Sequence, residues 1–258
     1  MSGTETARPE RVTPEAGPTR DVDPLDGPVA RVLRRGAGAL IALGVRGVAR
    51  LELSGLDGCG DLGRGPLIVI NHRSFLDPLV FVTLCRRHGV WPYTFAREDF
   101  FDRPLDRAVL RLLRAIPALR GRSALGGLRR AERLLARGQV VVIAAEGRIV
   151  PGHERADGVG ELQGGAAWLA HRASVSEVVV LTLTGTDDAW PVERRLPRLP
   201  WWPRWPRWPR WPRWPRWKVP GRPTVTVRAR RITLAPGARG PAITSAVRAT
   251  MSELLDGS

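Results

Sequence analysis

The stretch Leu67-Ile-Val-Ile-Asn-His-Arg-Ser-Phe-Leu-Asp77 decides how this chain is read. Its first four residues are an uninterrupted β-branched and aliphatic run, the pattern of a strand covered on both faces. The next seven, NHRSFLD, are polar at their start and place a histidine and an aspartate five positions apart. That spacing is off one face of an ideal helix. It suits His72 on a strand-to-helix turn and Asp77 in the first turn of the helix that follows, so that the two side chains converge. Open α/β sheets present ligands at the C-terminal edge of their strands, where this turn falls. A carboxylate bonded to one imidazole nitrogen fixes the tautomer and favours the imidazolium. The other nitrogen is then free to take a proton from a hydroxyl. Histidine titrates near ~6.5, so it serves as a base at neutral pH.

Outward from this stretch, the chain alternates. The helix after Asp77 runs to about Arg87, and VWPYTFA (90–96) reads as a second strand. Residues 105–116 read as an amphipathic helix with Val109, Leu112, Leu113 and Ile116 on its apolar side. A further helix over 123–137 is stopped by Gly138. QVVVIAA (139–145) and EVVVLTL (177–183) are buried strands, with a short helix at 165–173 between them. TVTVRARRITL (224–234) is a last strand and 242–255 a last helix. Strand and helix in alternation predict an α/β fold with a mostly parallel central sheet flanked by helices. Upstream, residues 29–51 form a basic amphipathic helix. Val29, Val32, Leu33, Ala37, Leu40, Ile41, Val45 and Val48 make its stripe, accompanied by Arg31, Arg34, Arg35, Arg46 and Arg50. Such a helix suits either a lipid headgroup layer or the domain core.

Composition narrows the partners. The net charge of +16 over 258 residues attracts phosphate-bearing partners, whether anionic lipid, nucleic acid or a phosphorylated co-substrate. The length suits one α/β domain, residues 28–258, behind a disordered Pro-, Glu- and Thr-containing tail at 1–27. The two cysteines, Cys59 and Cys85, have no paired spacing and fit a reducing compartment. No apolar run reaches the roughly 20 residues of a spanning helix, and the N-terminus lacks signal-peptide order. The expected location is the cytoplasm, peripheral to the inner face of the cell membrane. His88, His153 and His171 are scattered without ligand spacing, so no metal and no cofactor is expected.

One stretch breaks the alternation. Residues 202–216 are five tandem copies of Trp-Pro-Arg, within a loop tract at 201–217. Proline at every third position excludes helix and central strand and suits polyproline II. Tryptophan and arginine together suit a membrane interface. The tract is equally read as a repeat expansion tolerated in a loop.

The chain resembles a known family, the glycerolipid acyltransferases typified by 1-acylglycerol-3-phosphate acyltransferase, from about Leu53 to Leu234. NHRSFLDP (71–78) is similar to the family's first block, whose HxxxxD histidine and aspartate are the catalytic pair. AIPALRGRSALGGLRRAERLLARGQ (115–139) resembles the second, with Arg120 in the place of the phosphate-binding arginine. VVVIAAEGR (140–148) resembles the third and puts Glu146 and Gly147 at its acceptor-binding Glu-Gly, with Arg148 beside them as a further candidate for binding the acceptor. VVVLTLTGTD (178–187) resembles the fourth. The chain departs from the pattern at Ala145, where proline is usual, at Arg148 and Ile149, where the block's arginine is shifted by one, at Gln163, and at Val180. The resemblance implies a single glycerolipid acyltransferase-like domain of phospholipid biosynthesis. It would move a fatty acyl group directly from acyl-CoA or acyl-ACP to a hydroxyl of a lysophosphatidate-like lipid, in peripheral contact with the membrane. No Gly-x-Ser-x-Gly elbow offers a serine nucleophile, and Ser74 reads as structural. Two other readings stay open. One is a catalytically inactive lipid-binding member. The other is a basic aromatic nucleic-acid module with an incidental HxxxxD, though no nucleic-acid partner is expected. The acceptor headgroup, chain-length preference, donor carrier and oligomeric state are not encoded in any motif.

Overall fold

A computed structural model describes residues 27–55, 67–118, 124–151, 154, 158–190 and 221–257. Residues 1–26 of the expected tail, Cys59, His153 and the Trp-Pro-Arg tract lie outside them. A seven-stranded sheet forms the centre, in the order β1-β7-β6-β2-β5-β3-β4. The strands are β1 (Arg50–Ser54), β2 (Leu67–Ile70), β3 (Tyr93–Arg97), β4 (Ala115–Ala118), β5 (Val141–Ala144), β6 (Glu177–Thr184) and β7 (Thr224–Thr233). β2 lies at the middle and pairs in parallel with β5 and β6. β3 and β4 extend the parallel set. β7 is antiparallel to β6, and β1 follows β7, so these two strands run against the rest.

The period-2 geometry of a strand divides β2 between two cores. Ile68 and Ile70 join Phe81, Leu84, Val179, Leu181 and Val225 on one face. Leu67 and Val69 join Val178, Val180, Leu169, Val247 and Met251 on the other. All four residues of β2 are buried. A strand sandwiched this way has no face for a polar residue, which is why the run LIVI is uniformly apolar. The first face is covered by α1 (Pro28–Val48) and α2 (Asp77–Arg87). The second is covered by α4 (Ala124–Ala136), α5 (Gly165–Arg172) and α7 (Gly240–Asp256). The short helices α3 (Pro104–Leu112) and α6 (Thr186–Ala189), with a 3₁₀ turn at Glu98–Phe101, complete the order.

Three local readings are corrected. The N-terminal helix ends at Val48 rather than near Leu51, and Arg50–Ser54 form β1, zipped in register to Thr224–Arg228. The helix expected over 105–116 stops at Leu112. Arg114 sits at φ 59°, a left-handed conformation that ends a helix. Its guanidinium is fixed by the Trp91 carbonyl at 2.9 Å and lies 4.8 Å from the Tyr93 ring centroid. Ile116 therefore enters β4 and is fully buried there. The third concerns which face of α1 is buried. Arg34, Gly38, Ala42, Val45 and Val48 pack inward, while Val29, Val32, Leu33 and Leu40 of the expected stripe are exposed, as is Leu43. At Gly38 this inner face carries no side chain because Trp91 and Arg86 of α2 come close. A Cβ on Gly38 would stand 2.7 Å from Trp91 Cζ3.

Cys85 lies in the α1–α2 core with no solvent exposure, and burial pushes its thiol well above the ordinary cysteine range. In a Cys59→Ser background, the native protein is expected to resist alkylation and to react only as denaturant unfolds it. Fast labelling of the folded protein would contradict the packing of α2.

Candidate active site

The chain leaves β2 at Ile70 and is fixed at once by Asn71, which is 1% exposed. Its amide nitrogen donates to the Leu183 carbonyl at 3.0 Å, and its amide oxygen accepts from Leu183 N–H at 2.8 Å. The side chain thus continues the β2–β6 ladder past the last strand residue. His72 is next, with both of its backbone polar groups held. Its N–H donates to Glu146 Oε2 at 2.6 Å, and its carbonyl accepts from Val150 N–H at 2.9 Å.

Asp77 opens α2, followed by Pro78 at a position where a missing N–H costs nothing. Its side chain turns back over the loop. Oδ2 accepts from Arg73 N–H at 2.6 Å and from Ser74 N–H at 2.7 Å, and meets His72 Nδ1 at 2.8 Å. A carboxylate at a helix N-terminus that takes backbone N–H bonds is favourably placed while ionised. Asp77 has no solvent exposure, whereas the His72 side chain is 23% exposed. With Nδ1 engaged by a buried acceptor, Nε2 is the nitrogen left for a hydroxyl. Ser74 is buried and structural. Its Oγ donates to the Trp190 carbonyl at 2.7 Å and accepts from Leu76 N–H at 3.1 Å.

Glu146 is 2% exposed, and both of its oxygens bind backbone N–H groups, Oε2 that of His72 and Oε1 that of Gly160 at 2.9 Å. The carboxylate is thus occupied inside the protein. Gly147 is exposed at φ 65°, and a Cβ there would approach Gln163 Cγ at 3.1 Å. Arg148 is exposed and paired with Glu154, whose hydrogen bond and charge raise the guanidinium pKa further. Arg120 lies outside the described residues. The structure therefore brings together His72, Asp77 and Glu146, and places Gly147 and Arg148 on the adjoining surface. Among the described residues no three His, Cys, Asp or Glu side chains cluster as metal ligands do.

Three supporting residues were not singled out from sequence. Asn71, Val150 and Gly160 hold the turn through amide or backbone bonds, which carry no spacing signal. Arg73 was equally unmarked. Its guanidinium donates to the Gly158 carbonyl at 3.0 Å, tying the turn to the loop before α5.

A family model described as "Acyltransferase" matches residues 51–184, more than half of the chain. The chain belongs to the acyltransferase family. Among solved structures, this acyltransferase is similar to the 1-acyl-sn-glycerophosphate (LPA) acyltransferase PlsC from Thermotoga maritima. The TM-score is 0.62 at 16% identity, over 86% of this chain and 80% of that one. At that identity the likeness speaks for the fold. No curated protein sequence matches the chain.

Asn71 offers the test of how the acyltransferase builds this turn. Asn71→Ala leaves Leu183 N–H and C=O unpaired in the core, which costs about 2–3 kcal/mol. Chemical denaturation is expected to register that loss, with turnover falling alongside it. An unchanged midpoint would show that the amide bridge does not hold the strand end.

Proposed function

We propose that this acyltransferase moves a fatty acyl group from an acyl thioester, on coenzyme A or acyl carrier protein, to a hydroxyl of a lysophosphatidate-like glycerolipid. The observation that carries the reading is the 2.8 Å contact between His72 Nδ1 and Asp77 Oδ2, with the carboxylate sealed from water and the imidazole reachable from outside. Asp77 fixes the proton on Nδ1. Nε2 accepts the proton of the acceptor hydroxyl while its oxygen attacks the thioester carbonyl carbon. The tetrahedral intermediate collapses with cleavage of the C–S bond, and the imidazolium returns its proton to the departing thiolate. Glu146 contributes by holding the His72 backbone. Arg120 and Arg148 are the guanidinium groups proposed to bind the acceptor phosphate, Arg148 by exchanging Glu154 for it, with Gly147 leaving room next to Arg148.

The acceptor is a membrane lipid, and features of α1 support peripheral contact with a bilayer. Val29, Val32, Leu33, Leu40 and Leu43 are exposed on that helix, Arg31, Arg35, Arg46 and Arg50 are exposed with them, and residues 28–50 hold no acidic residue. An apolar row with basic company suits an anionic lipid surface. Among the described residues, no helix is long and apolar enough to cross a membrane.

The test is labelled acyl thioester with a panel of lysophospholipid acceptors. His72→Ala is expected to lose more than ~10²-fold in turnover while still sedimenting with anionic liposomes, and Asp77→Asn to lose a comparable factor. Full turnover in His72→Ala would remove the histidine from the chemistry. Turnover on non-lipid alcohols alone would remove the lipid acceptor.

A further inference from the structure

Both groups that hold the His72 backbone, Glu146 and Val150, meet at one residue. Gly160 N–H donates to Glu146 Oε1 at 2.9 Å, and its α-carbon leaves no space for a side chain. A Cβ there would stand 2.8 Å from Val150 Cγ2 and 3.2 Å from Glu146 Oε1. Gly160 is therefore wedged between the acceptor of the His72 N–H and the donor to the His72 carbonyl. Any shift of Gly160 is passed to both ends of the histidine's backbone.

Gly160 is itself pinned from outside the matched family region. Arg248, on α7, donates from its guanidinium to the Gly160 carbonyl at 3.0 Å. Two residues earlier, the Gly158 carbonyl accepts from Arg73, the neighbour of His72. Val159 between them is 5% exposed and belongs to the core that α7 covers. The segment Gly158–Gly160 is thus a strap between the catalytic turn and the C-terminal helix, bonded by an arginine at each end.

We infer that Arg248 is a positioning residue for His72, acting through Gly160 and Glu146 and touching neither substrate nor the imidazole. This rests on the reading of His72 as the base. A base displaced by a fraction of an ångström loses its line to the hydroxyl, and ~1 Å of misplacement is enough for about 10²-fold. Acceptor binding does not depend on that line, so the loss falls on kcat and not on KM.

The test compares Arg248→Met, Arg248→Lys and Gly160→Ala with the parent protein, by turnover and by hydrogen exchange of the 71–77 segment. In Arg248→Met the His72 amide is expected to exchange at least ~10-fold faster, as loosening of a local hydrogen bond permits. Its kcat is expected to fall about 10-fold with KM within about twofold. Arg248→Lys, which keeps a donor, recovers part of both, and Gly160→Ala reproduces the faster exchange without touching the arginine. Unchanged exchange of the 71–77 segment in folded Arg248→Met overturns the inference, as does a loss carried wholly by KM. The exchange readout needs no substrate. If His72→Ala keeps full turnover, the chemical reading fails, and the exchange data still decide whether Arg248 holds the turn.

Discussion

The structure depends on one buried carboxylate oxygen. Asp77 Oδ2 takes the N–H groups of Arg73 and Ser74 and faces His72 Nδ1, so one atom organises the turn and the imidazole together. Burying a carboxylate is costly unless hydrogen bonds replace its water, and two backbone donors of the preceding loop do so at Oδ2, while Oδ1 is buried without a partner. The five-residue spacing of the motif follows. The aspartate must stand one turn beyond the loop it binds, and the histidine must stand where that loop leaves the strand.

Everything around this atom fixes where the loop starts. Asn71 extends the sheet beyond Ile70, and Glu146 and Val150 clamp the His72 backbone from the end of β5 and the loop that follows it. The adjacent loop ends also reach this edge. Trp190, the last described residue before the Trp-Pro-Arg tract, binds Ser74 through its carbonyl. On the far side of the tract, Pro223 accepts the Arg50 N–H at 3.0 Å, and Arg222 donates to the Arg46 carbonyl at the end of α1. The described chain therefore stops at Trp190 beside the His72 turn and resumes at Gly221, next to the end of the basic helix.

The central sheet was legible in the sequence because its strands are covered on both faces. LIVI and VVVIA hold no polar residue to confuse the period, EVVVLTL has only Glu177 at its start and Thr182 near its end, and the HxxxxD turn followed directly from the first of them. Legibility failed where tertiary contacts overrode local pattern. Arg114, held by Trp91 and Tyr93, breaks a helix that Leu112, Leu113 and Ile116 suggested. Leu51 and Leu53 match a helix end or a strand equally well, and pairing with β7 decides for the strand. In α1, close approach of Trp91 selects Gly38 for the inner face, and most of the large aliphatic residues of the expected stripe face solvent. Of the site, His72 and Asp77 were readable. The backbone bonds that aim them were not, because a main-chain N–H is present at almost every position and leaves no mark in composition.

The claim beneath all of this is that the buried carboxylate decides which imidazole nitrogen carries the proton. Nitrogen-15 NMR of the His72 side chain, assigned by its loss in His72→Ala, measures that directly at a pH where the ring is neutral. The proton is expected on Nδ1, with Nε2 bare. A neutral ring with its proton on Nε2 would contradict it, since the nitrogen offered to the hydroxyl would then be a donor with no room for another proton.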